Sequence, residues 1–224
     1  ARKTADTRKG PIRFSAGSGM TPEIMAITML LGGPGADYNR VFAEKIVWVK
    51  GMSSSERRLA FRRGDLNGTR ENPAAYKKHV QPLTEDGIAY TWFHHGLLNV
   101  STGKHEKDPN FSAPTFEELY KKTWGQTPAG DFYDAYRLVK SWRDALQKAF
   151  WVNRGNPNKQ KLVDALNKML NDPQSVAAIE KNVGKYQWRV GTEGDAAVKT
   201  LKTFITPRAL KTLSDFGKNQ LGYN

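Results

Sequence analysis

The residues best suited by type and spacing to do chemistry fall between positions 45 and 76, in the run KIVWVKGMSSSERRLAFRRGDLNGTRENPAAY. An apolar strand over 46–49 leads through Lys50 and Gly51 into a serine run, then into a short basic helix closed by Gly64. Ser53 and Glu56 have the S-x-x-E spacing of a capping box, in which the hydroxyl and the carboxylate each satisfy an orphan amide. A strand that delivers a small-residue loop onto a helix start gathers free N–H groups near the positive end of a helix dipole. Such a place suits a carboxylate or a phosphate. The same residues also read as a well-capped connection, and Lys50 as a solvated strand end.

Two further units share this plan. A strand over 11–15 enters the loop Ala16-Gly17-Ser18-Gly19-Met20, after which Thr21 reads as an N-cap with Pro22 at the first helical position. Glu23 complements that helix dipole and would compete with a bound anion. Asp65-Leu66-Asn67-Gly68 leads into Thr69-Arg70-Glu71-Asn72, and Pro73 starts the next helix. His94, His95, His105, Glu106 and Asp108 are metal-binding residue types, but adjacent histidines diverge on a strand, and neither a metal nor a cofactor is expected. No G-x-S-x-G elbow, P-loop or G-x-G-x-x-G fingerprint occurs. An enzyme is not expected.

The elements that must carry these loops belong to a chain of 224 residues, enough for one large domain or two small lobes. There is no cysteine, which excludes disulfides, thiolate nucleophiles and Cys-ligated metals. Thirty-five Lys and Arg against 22 Asp and Glu give a formal charge of +13, a field that steers anions toward the surface. The charge is dispersed, with local density at 2–13 and 57–63. The longest apolar run, 24–31, is too short to cross a bilayer, and no apolar signal core lies near Ala1, so an export signal would lie outside this sequence.

Periodicity predicts a helix to about Leu31, stopped by Gly32-Gly33-Pro34-Gly35, and a short helix from Pro73 to about Val80. The aromatic and β-branched segment IAYTWF at 88–93 reads as a buried strand, and 98–114 as a long irregular connection. Pro114-Thr115-Phe116-Glu117-Glu118-Leu119 opens another helix. A long amphipathic helix is expected over 131–151, with Tyr136, Val139, Trp142, Leu146 and Phe150 on one face, then helices over 159–170 and from Asp172-Pro173 to Gly184. A strand over 186–190 and helices over 194–205 and 207–216 complete the chain. Recurring strand–loop–helix units argue for an α/β fold.

In that order, the motifs resemble the substrate-binding receptors of the tripartite tricarboxylate transporter family, periplasmic solute-binding proteins of bacteria. The likeness is carried by FSAGSGMTPEIMA at 14–26, VKGMSSSERRLAFRRGDLN at 49–67, ENPAA at 71–75, APTFEEL at 113–119 and the tail around Asp172-Pro173. The chain departs from the family pattern in Val49, where tyrosine is usual, in Asn67, and in a longer stretch over 121–149. The resemblance also begins partway into such a receptor, so the first lobe is expected to be incomplete.

The resemblance implies a periplasmic-binding-protein-like two-lobe architecture that closes on a solute. Residues 1–9 would be a basic terminus, 10–113 an α/β lobe, and 114–224 a mainly helical part returning to the other lobe. The implied function is capture of a small organic anion, di- or tricarboxylate-like, in the periplasm for the membrane subunits of a transporter. For a carboxylate, Ser15, Gly17, Ser18, Gly19 and Thr21 would supply hydroxyls and amides from one loop. Gly51, Ser53 and Ser54 would supply them from another, with Lys50 adding charge. Thr69 and Asn72 would orient a polar group, and Glu71 would accept from a hydroxyl, amine or water. No direct membrane insertion is expected. The alternative is a basic nucleic-acid-binding or structural protein, although no nucleic-acid motif is present, so nucleic acid is not an expected partner.

Overall fold

The computed structural model describes residues 10–16, 19–146, 149–153, 155–182 and 187–222. It is a mixed α/β structure in which helices predominate over two small sheets. The first sheet is parallel: β1 (Ile12–Ser15) lies between β2 (Ile46–Trp48) and β3 (Gly68–Thr69). Ile12 is in register with Ile46, Phe14 with both Trp48 and Gly68, and Ser15 with Thr69. The chain leaves β1 for one edge, then crosses back over β1 to the other. The connections are α1 (Pro22–Gly32) and α2 (Tyr38–Lys45) between β1 and β2, and α3 (Ser54–Arg63) between β2 and β3. Strand order reverses between β1 and β3, so a crevice opens at their carboxyl ends. In open α/β sheets ligands bind at such switch points.

Helix α1 is apolar nearly all round and is buried from Pro22 to Leu30, as expected of a helix covered on several sides. α6 (Phe116–Trp124) and α7 (Asp131–Leu146) cover it, and α11 (Pro207–Leu221) packs on both α7 and α2. One core therefore joins Ile12 and Phe14 of the sheet to Ile24, Met25, Phe116, Tyr136, Phe216 and Leu221. A smaller cluster unites Leu98, Leu138, Leu201, Phe204 and Ala209, tying α10 (Thr192–Lys202) and the hairpin β4 (Leu97–Asn99) and β5 (Lys104–Glu106) to α7.

Local signals set the helix ends. Ser53 Oγ accepts from the Glu56 amide at 3.3 Å while Glu56 Oε2 accepts from the Ser53 amide at 2.7 Å. Thr115 and Glu118 form a second reciprocal box. Gly64 ends α3 at φ 81°, a left-handed conformation open to glycine. Ser53→Ala should therefore lower stability by about 1 kcal/mol and Ser53→Gly by only a few tenths. Urea melts of the two variants check this, and equal losses would contradict it.

Several expected elements differ. Residues 88–93 form no extended strand, and Ile88 and Tyr90 are exposed: β-prone composition without a neighbouring strand makes no ladder. Instead the segment runs beside the sheet toward His94, which bridges to Thr115. The connection 98–114 contains the β4–β5 hairpin. α2, capped by Asp37 through the Asn39 and Arg40 amides, and α5 (Gln81–Glu85) are additional helices. α7 is described as far as Leu146, residues 149–151 are not helical, and Phe150 and Trp151 are exposed. Residues 187–190 are not a strand. α8 (Lys159–Leu170), α9 (Pro173–Asn182) and α11 follow the expected pattern, with Asp172 capping through the Ser175 amide at 2.9 Å.

Candidate functional site

The switch point opens into a cleft of about 1040 Å³ that runs along β3 and is walled on its far side by residues 86–98. Charge enters it from four elements. β3 delivers Arg70, Glu71 and the N-cap Asn72 of α4 (Pro73–His79); the first turn of α1 delivers Glu23; α3 delivers Arg58 and Arg62; and α7 delivers Arg143 and Asp144, while Asp86, Asp108 and Arg189 line it from the connections.

Four of the five acids of the cleft have partners, and the fifth, Asp86, is exposed to solvent. Glu23 is buried, and its Oε2 accepts from Arg143 Nη1 at 2.7 Å, while His95 Nε2 stands 3.6 Å from Oε1. Burial pushes this carboxyl up, but the Arg143 charge and hydrogen bond, with His95 alongside, outweigh burial and hold it well below the usual carboxylate range. His95 is fixed from the other side by Tyr136, 2.9 Å from its Nδ1. Glu71, nearly buried, pairs with Arg58 at 3.0 Å. Asp144 lies 3.3 Å from the buried Lys140 ammonium. Asp108 accepts from the amide and side chain of Asn110 at 2.9 and 2.8 Å.

Arg70 stands apart. Its Nε donates to the Ala16 carbonyl at 3.3 Å, and among the described residues no carboxylate lies within ion-pair distance of it. It is half-buried, and burial pushes its guanidinium down, partly opposed by the more distant charges of Glu23 and Glu71. A desolvated guanidinium without a counter-ion favours a planar oxyanion, which it can grip in two places. Around the same carboxyl end of β1, the hydroxyls of Ser15 and Thr21 are buried without a hydrogen-bond partner. Thr69 Oγ1 is held by the Ser15 carbonyl at 3.4 Å.

The aromatic wall faces this charged floor. Tyr76 meets Phe111 edge to face with centroids 5.3 Å apart, and His94 lies 5.4 Å from Phe111. The Tyr76 hydroxyl is occupied by Thr91 at 2.7 Å. Burial pushes the His94 imidazole down, opposed by Asp108, so the ring is neutral at pH 7. Its Nδ1 accepts from the Gly96 amide at 3.0 Å, which leaves the proton on Nε2.

Of the residues singled out in the sequence, Thr69, Glu71 and Asn72 line the cleft. Asn72 Oδ1 is engaged with the Ala75 amide at 2.9 Å, and Glu71 with Arg58. Ser15 and Thr21 are buried at the sheet end, and Gly19 is exposed. Gly17 and Ser18 lie outside the described residues. Gly51, Ser53 and Ser54 follow β2 and are not among the cleft-lining residues. Ser53 caps α3, and Ser54 Oγ accepts from Arg57 at 2.9 Å. Lys50 donates to the Leu221 carbonyl at 2.6 Å and lies 5.5 Å from the Trp48 ring.

Arg58, Arg70, His95 and Arg143 were not among the expected anion-site residues and are brought to the cleft by the fold. Arg70 had a local signal, being the cation in the loop between Thr69 and Glu71, whereas the Arg143 contact spans 120 positions. Among the described residues, no group of three His, Asp or Glu is arranged to hold a metal ion, and no helix is long and apolar enough to cross a membrane. Compared with protein-family models, characterised proteins and solved structures, the chain matches none.

Proposed function

We propose that this protein captures a small organic anion in the cleft between the carboxyl ends of β1 and β3, with Arg70 as the principal counter-charge. The observation that carries the reading is the charge pattern: Glu23, Glu71, Asp108 and Asp144 are each already engaged, while Arg70 is half-buried at the end of β3 without an ion-pair partner among the described residues. Binding of this kind needs no nucleophile. It needs polar groups held in place by the fold and a wall that excludes water.

The resemblance noted in the sequence extends the proposal to a periplasmic solute receptor that passes its anion to the membrane subunits of a transporter. In that reading the sheet-bearing part belongs to one lobe of a two-lobe receptor, and the helical part returns toward the other. The reading as a nucleic-acid-binding or structural protein rests on net charge and six tryptophans. Its densest basic segment is a poor free stripe, because Arg57 is buried and Arg58 is paired with Glu71.

Calorimetric titration with a panel of carboxylates, repeated on Arg70→Gln, tests the proposal. A charge-assisted hydrogen bond is worth roughly 1.5–3 kcal/mol, so the variant should bind at least about tenfold more weakly while melting at the wild-type temperature. Undiminished affinity in Arg70→Gln would overturn the assignment.

A further inference from the structure

Resting on the reading of the cleft as an anion site, we propose that its preferred ligand is an amphipathic monoanion: one carboxylate-like head on Arg70 and an aromatic or alkyl body against the Tyr76–Phe111–His94 wall. Three observations point away from a compact polyanion.

The first is size. A cleft of about 1040 Å³ lies at the upper end of the roughly 300–1,000 Å³ that encloses a drug-sized molecule. A four- to six-carbon acid would leave most of it to water. The second is charge. A di- or tricarboxylate needs a counter-charge for each group, yet Arg58 and Arg143 are already committed to Glu71 and Glu23 at 3.0 and 2.7 Å, and Arg62 is exposed to solvent, where its charge is screened. A second or third carboxylate would have to make do with that screened charge, displace one of those acids or lie close to it unpaired. Arg189, also at the cleft, donates to the Leu98 carbonyl and to Gln187, both at 3.1 Å.

The third is the wall. The Tyr76 hydroxyl is satisfied by Thr91 and the His94 ring is uncharged, so the wall offers ring faces and a single unpartnered polar tip, His94 Nε2. Water against such a surface finds few partners, and an apolar group that displaces it gains affinity. Each methylene buried there raises affinity roughly fourfold, so a body of several carbons outweighs the loss of extra carboxylates.

Titration calorimetry on the full chain with 4-phenylbutyrate, octanoate, succinate, citrate and the uncharged 4-phenylbutyramide decides the matter. The expected result is that 4-phenylbutyrate and octanoate bind at least tenfold more tightly than succinate and citrate. The amide should bind at least tenfold more weakly than its acid. Phe111→Leu and Tyr76→Ala should weaken the two tailed acids, with thermal melts confirming that each variant is folded. Tighter binding of succinate or citrate would overturn the ligand class and leave anion capture standing. An amide as tight as its acid, or silence from all four acids, would overturn anion capture itself. Folded wall variants with wild-type affinity for octanoate would overturn the role of the wall.

Discussion

Glu23→Ala should destabilise the fold by about 3–5 kcal/mol, the usual result of removing one partner from a buried ion pair. The Glu23 carboxylate is almost wholly buried at the start of α1, and it neutralises Arg143 arriving from α7 at 2.7 Å with His95 alongside. Deleting it leaves a guanidinium in a poorly solvated place. Glu23→Ala combined with Arg143→Met should recover a large part of the loss, because the uncompensated charge goes with it. Urea denaturation of the single and double variants measures this, and a double variant no more stable than Glu23→Ala would contradict the ion-pair account.

The same carboxylate sets part of the acid response. Its folded-state value lies well below its unfolded one, so its contribution is fully present above the ordinary glutamate value of about 4.3 and disappears as pH falls through the folded value. A second group acts earlier. Burial, with Lys140 and Arg137 nearby, pushes His105 down to about 2, so it folds neutral. Its contribution begins to fall once pH drops below the unfolded histidine value of about 6.5. Melting temperatures should therefore decline from about pH 6.5 downward and more steeply below about pH 4. Glu23→Gln should flatten the lower limb while leaving the upper one.

Phe116→Ala should cost about 3–5 kcal/mol by a different route, the cavity left by a large ring. Phe116 is fully buried and touches Phe93, Tyr120, Tyr133 and Tyr136, the last with centroids 4.8 Å apart. That cluster seats α6 and α7 on α1 and supports the His95–Tyr136 contact behind the cleft. Phe116→Leu, which leaves a smaller void, should lose distinctly less. Chemical denaturation distinguishes them, and equal losses would show that ring packing is not what Phe116 supplies.

What could be read from the sequence divides along the range of the interactions. The Ser53–Glu56 box, the Asp172 cap and the glycine stop at Gly64 close within a few residues, so their spacing alone announces them. The α/β character follows from the same units. The segment 88–93 shows the opposite case: its residues favour a strand, but no neighbouring strand presents a ladder edge, and Trp92 and Phe93 pack on the core instead. Helix α2 was hidden because it is a short polar element held largely by Val41 and Phe42.

At the cleft, the loop residues 69–72 stood out by type, but the partner of Glu23 did not. Read locally, Glu23 is a dipole-complementing acid that would repel an anion. Arg143 neutralises it from a helix more than a hundred residues away, and no spacing rule reaches that far. The charge balance that leaves Arg70 unmatched is therefore a property of the fold, even though Arg70 itself sits among residues whose types had already drawn notice.

The position of a bound anion decides whether Arg70 is its anchor. A crystal soaked with 4-bromobenzoate would reveal the ligand through the anomalous signal of bromine. The account predicts the carboxylate about 2.8 Å from the Arg70 guanidinium and the bromine toward Tyr76 and Phe111. A carboxylate seated instead at the Lys50–Ser54 loop, with Arg70 untouched, would contradict it.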